Sequence, residues 1–128
     1  MAYEAGEFFP GARVQRVTAS ADIAKGAVVT ITPAVASTAA ACAEDGVGPF
    51  AVAIEAVANG KTGRVVTKGE VAVDCSENCY TGAVVTGSGG KVKVCGTDPS
   101  GNYIKPLGRM TVGGANGTVG VVDLGGLS

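Results

Sequence analysis

The five residues GAVVT occur twice, at Gly26–Thr30 and again at Gly82–Thr86, and this repetition limits the fold more than any other feature of the chain. It extends beyond five letters. Pro49–Gly60 reads PFAVAIEAVANG and Pro106–Gly117 reads PLGRMTVGGANG, each opening on proline and closing on Ala-Asn-Gly. The first match is offset by 56 residues and the second by 57. The order GAVVT, Pro-led apolar run, ANG thus appears once in each half, the mark of a degenerate internal duplication. A half of about 55 residues would leave an open sheet with two exposed edges, and joining two halves hides them. The expectation is an all-β fold: one small closed β-barrel or β-sandwich with a pseudo-two-fold relation between repeats near 26–66 and 82–122. These lie in a single domain, 1–128, in which an N-terminal arm (1–11) precedes the β-core (12–128).

The residues between the repeated motifs agree. Val71 and Val73 alternate with Glu70, Ala72 and Asp74; Val92 and Val94 alternate with Lys91 and Lys93; Val119 and Val121 share a face with Asp123. This is the period of a half-buried strand. The runs are short and bounded by turn formers, among which Asn-Gly is the strongest hairpin signal. The predicted strands are 12–19, 27–32, 50–57, 62–67, 70–75, 82–86, 90–95, 104–112 and 117–124, with Lys68-Gly69 a turn or bulge and the Ala-rich stretch 33–48 either a short helix or a loop. Gly makes up 21 of 128 residues, about double the ordinary share, as tight turns require.

Charge and residue usage exclude several functions. The net charge is −1 and no Lys/Arg run is present, which argues against nucleic-acid binding. His is absent, which removes the commonest general base and any Ser/His pairing. No catalytic set, cofactor site or metal site is expected. The N-terminus carries two glutamates before any basic residue and no apolar stretch of signal length, and no run is long enough to span a bilayer. Synthesis in the cytosol and no membrane partner are the expectations. The glycines at 82–90 lead into neither GK[ST] nor a helix, so they form no phosphate loop. Asn116-Gly117-Thr118 matches a glycosylation sequon and reads as a hairpin turn.

Of the four cysteines, Cys42, Cys75, Cys79 and Cys95, the close pair Cys75-Ser-Glu-Asn-Cys79 has the wrong spacing for zinc and no matching second pair. Reduced thiols are expected in a cytosolic product. The alternative is a disulfide that includes Cys75, with Cys79 across the SEN turn or Cys95 at the end of another strand. Tyr3, Phe8 and Phe9 place three of the six aromatic residues ahead of the first strand. They either plug one end of the barrel or anchor the arm on a partner, since aromatics dominate interface energetics.

The motifs VTASADIAKGAVV (17–29), GPFAVAIEAVANG (48–60), GEVAV (69–73), TGAVV (81–85), GGKVKV (89–94) and PLGRM…GTVGVV (106–122) occur in an order that resembles the small phage capsid cement, or decoration, proteins. The resemblance covers nearly the whole chain; the order carries it, each motif alone being only glycines and valines. The Ala-rich stretch, the cysteines, Ala51 and Arg109 depart from the pattern. The resemblance implies a non-enzymatic virion protein on the outer capsid surface, commonly a homotrimer, that clamps neighbouring major capsid subunits. Two alternatives are a phage tail or fibre β-module and a lipoyl- or biotinyl-type carrier domain with Lys68 as its tip lysine.

Overall fold

A computed structural model describes residues 3–32, 35–38, 50–97, 99–102 and 106–124. Its nine strands are β1 (Arg13–Ala19), β2 (Val28–Thr32), β3 (Val35–Thr38), β4 (Phe50–Ala53), β5 (Thr62–Asp74), β6 (Val84–Ser88), β7 (Lys91–Val94), β8 (Gly108–Val112) and β9 (Val119–Leu124). No helix occurs among the described residues. Two expected strands, 62–67 and 70–75, are one continuous β5, and the ambiguous stretch after Thr32 contains β3. The rest of that stretch, with Cys42, lies outside the described residues.

The strand order is β1-β3-β2-β4-β5-β9-β8-β6-β7, with β1 returning to pair with β5. The first five strands therefore close a ring. The second half repeats the plan: β5 pairs with β9, β9 with β8, β8 with β6 and β6 with β7. A parallel bridge from Cys75 to Val92 brings β7 back beside the end of β5. Two small barrels thus share one long strand, and the fold is an all-β barrel.

The duplication extends to individual hydrogen bonds. Ile23 and Val57 exchange N–H···O bonds, as do Cys79 and Gly114. The Gly26 N–H donates to the Ala53 carbonyl, and the Gly82 N–H to that of Met110. The Asn59 N–H donates to Asp22 Oδ1 at 2.9 Å, and the Asn116 N–H to Asn78 Oδ1 at 2.9 Å. Each ANG turn is held by the same side-chain acceptor geometry, with Gly60 and Gly117 at φ 81° and 82°. Those angles disfavour any residue with a Cβ.

One extra residue lets β5 serve both barrels. Val14 lies opposite Val66, but Arg13 lies opposite Lys68, so Thr67 is a bulge. A bulge shifts the alternation of side chains by one. Val65 enters the smaller core with Val17, Ile23, Val29 and Val57. Val66, Val71 and Val73 all enter the larger core with Val85, Met110 and Val122. The strands between the cores, β2, β4 and the first part of β5, have Val28 and Val29, Val52 and Ala53, and Val65 and Val66 all fully buried. A sheet buried on both faces requires such unbroken apolar runs.

The relation between halves is not a pseudo-two-fold. A two-fold axis would give Arg109, Thr111 and Asp123 the surroundings of their counterparts Val52, Ile54 and Val66. The valines and isoleucine are buried in the core, whereas Arg109 and Thr111 are exposed and Asp123 is half-buried. The outer wall of the first half packs against the second, and the matching wall of the second faces solvent, which is a head-to-tail arrangement.

Candidate interaction surfaces

The N-terminal segment lies along the core sheet. The Gly6 N–H donates to the Ala72 carbonyl, the Ala72 N–H to Glu7, and the Phe9 N–H to the Glu70 carbonyl. These bonds continue the β1–β5 pairing beyond Pro10-Gly11, and Phe8 bridges Val71. The turn at Glu4–Glu7 sits on the turn around Gly26, where Glu4 meets Lys25 at 2.8 Å and Ala5 packs on Gly26. The backbone of the N-terminal arm is therefore hydrogen-bonded to the chain's own sheet over residues 6–9. Its side chains divide. Tyr3 and Phe9 form an edge-to-face pair with ring centroids 5.7 Å apart, while Phe8 is 46% exposed.

Cys75, Cys79 and Cys95 are buried, and no bridge joins them. The repeat explains two of them. Cys75 and Cys79 occupy the positions of Ala19 and Ile23, core residues of the first half. Cysteine here acts as a small apolar residue. Burial pushes the Cys79 thiol up to about 12, and burial likewise raises that of Cys75. Neither is a nucleophile at neutral pH. No cluster of three metal-ligating side chains exists among the described residues. Lys68 lies within β5 opposite Arg13, not at a hairpin tip as a carrier lysine requires.

Tyr80 escaped the sequence reading. It replaces Ala24 of the first half, is 67% exposed, and flanks a shallow groove of about 420 Å³ between residues 78–81 and 113–115. Lining up the two repeats would have singled it out. The charge distribution over the strands was hidden more deeply. Arg16 stands opposite Arg64 and Arg13 opposite Lys68, while Glu70 stands opposite Asp123. All but Asp123, which is half-buried, are exposed. These neighbours are far apart in sequence and meet only through the register.

No family model matches the chain, and no curated protein matches it. Among solved structures it is similar to the head fibre gp8.5 N base of bacteriophage phi29, with a TM-score of 0.64 and 16% identity over 88% of this chain and 93% of that chain. At that identity the likeness is one of fold.

Proposed function

We propose that the chain is a structural virion protein of a bacteriophage, seated on the outer surface of the head as a decoration protein and contacting the major capsid protein as a homotrimer. The observation that carries this reading is the fold, which matches a phage head fibre base over almost the full length of both chains. The order of sequence motifs, which resembles the decoration proteins, supports it independently. Decoration needs no chemistry. It needs a stiff scaffold, and the sharing of β5 between two barrels supplies one. A second reading, the base of a head fibre, is favoured by the role named for that solved structure. The carrier-domain alternative has no tip lysine to support it.

The test uses heads that lack the protein. Purified chain is added, the heads are pelleted, and bound protein is imaged. Ordered density on the outer surface at repeated lattice positions is expected for decoration. Attachment only together with a fibre shaft would favour the fibre base. No association at saturating concentration would remove both readings.

A further inference from the structure

The two ends of β5 belong to sheet ladders of opposite charge. The first ladder, residues 13–18 against 62–68, contains Arg13, Arg16, Arg64 and Lys68 and no carboxylate. The second, residues 69–74 against 119–124, contains Glu70, Asp74 and Asp123 and no cation. Within each ladder like charges lie directly opposite one another, an arrangement that destabilises an isolated sheet. Neutralisation from neighbouring strands is partial. Glu55 reaches Arg64 at 3.2 Å, and Arg109 lies opposite Asp123.

The repeat acts as an internal control. The counterparts of Arg13, Arg16 and Arg64 are Gly69, Ala72 and Val121, and those of Glu70 and Asp123 are Val14 and Val66. The same antiparallel pairing forms at the counterpart positions without these charges. A net charge of −1 conceals the separation and leaves little whole-molecule repulsion against association.

We propose that the two ladders are the two sides of one contact between copies of this chain, the basic ladder of one copy docking on the acidic ladder of the next. The basic ladder has the makings of an interface. Among the described residues β1 pairs with β3 only at Thr18 and Ala19, and residues 13–17 pair with β5 and no other strand. Val14, a large exposed apolar side chain, lies on this strand two residues from Arg16, and Phe8, also exposed, bridges Val71 beside the acidic ladder. Each side of the contact thus has an apolar side chain next to its charges, as interface cores do. A contact between unlike surfaces is heterologous and closes into a ring when its rotation allows. The two halves already pack head-to-tail within one chain. The inference rests on the reading that the protein works as assembled copies.

Sedimentation velocity of the full chain tests it. Self-association is expected at about 50 mM salt and should weaken at least about tenfold at about 500 mM as screening shortens the reach of the charges. R16E/R64E and E70K/D123K should each weaken association roughly a hundredfold, because like charges then face one another. The combined variant R16E/R64E/E70K/D123K, with both signs exchanged, should regain it. Circular dichroism checks that each variant folds; should a double variant fail, R16E and E70K alone with the wild-type salt series carry the test. A monomer at both salts overturns the inference, as does association indifferent to salt and to both double reversals. So does a monomer that instead captures a short oligonucleotide, which would make the basic ladder a polyanion site. All these readouts use isolated protein, so a negative result leaves the head-binding assay free to decide the functional reading separately.

Discussion

The first half of the molecule is buried on both faces of its wall, and the second half, built on the same backbone plan, on only one. Val52, Ile54 and Val66 in the first correspond to Arg109, Thr111 and Asp123 in the second. The hydrogen-bond plan tolerates either set, so the choice between them reports what lies outside the wall. Exchanging these residues should therefore be highly asymmetric. Val52→Arg places a guanidinium at a fully buried site and should cost at least about 4 kcal/mol, a large part of a small domain's stability. Arg109→Val loses an exposed bond from its guanidinium to the Gly82 carbonyl and the cation opposite Asp123, and should change stability by about 1 kcal/mol or less. Urea denaturation of both variants measures the contrast. Equal costs would mean that the halves are more alike than their burial indicates.

The two cores differ in how they fill one hole. In the first half a Cβ added at Gly63 would strike the side chain of Val57; in the second, one added at Gly120 would strike Met110 Cε. Val57 corresponds to Gly114 and Met110 to Ala53, so the same space is filled from different positions of the repeat. Met110→Ala should cost about 2–5 kcal/mol, since Met110 is fully buried and its side chain lies over Gly120. Adding Gly114→Val alone brings the new side chain against Cys75 Sγ, 3.0 Å from its Cβ. The triple variant M110A/G114V/C75A copies the first half's set, Ala53, Val57 and Ala19, and should recover part of the loss. No recovery over M110A would show that the two cores are not interchangeable.

Removing residues 1–9 separates the halves differently. β5 beyond its bulge has the N-terminal segment as a neighbour; on the matching edge, residues 13–17 of β1, no further strand pairs among the described residues. Deletion removes three backbone hydrogen bonds to β5, at about 1 kcal/mol net each, and releases the entropy spent on ordering the segment. A loss of about 1–3 kcal/mol is expected, with hydrogen exchange rising at Ala72 and leaving Val65 little changed. An unchanged melting temperature would mean that the segment is only a tether for Phe8.

Much of this architecture is legible in the sequence because the duplication is written twice. The GAVVT and ANG motifs locate β2, β6 and the two hairpin turns, and alternation locates the other strands except β3, which lies in the Ala-rich stretch read as a short helix or a loop. The bulge is indicated only by Lys68-Gly69, and nothing local says that β5 passes through it unbroken. The pseudo-two-fold expectation failed for a physical reason: repeated sequence implies repeated local structure, but the packing of one copy on the other depends on which faces are apolar. The contrast of Val52 with Arg109 carries that information once the repeats are lined up. The charge ladders could not be read beforehand, since Arg16 and Arg64 become neighbours only when the register is known.

The smallest expected effect lies in the pair Glu55–Arg64, which the second half lacks because Val112 and Val121 stand at those positions. The side-chain bond from Arg64, with the Arg64 N–H also donating, holds the Glu55 carboxyl below its ordinary value of 4.5. A carboxyl whose folded value is depressed stabilises the fold above its unfolded value, and that stabilisation disappears as pH falls through the folded one. The pair is exposed, so screening leaves little of it. Glu55→Gln should lower the thermal midpoint at pH 7 by an amount near the limit of detection, and the difference from wild type should vanish as the pH falls through the depressed folded value. In hydrogen exchange the change should be confined to the β4–β5 turn of the first half, with the matching turn near Val112 unaffected. A difference that grows on acidification would have the wrong sign and would place the stabilising contact elsewhere.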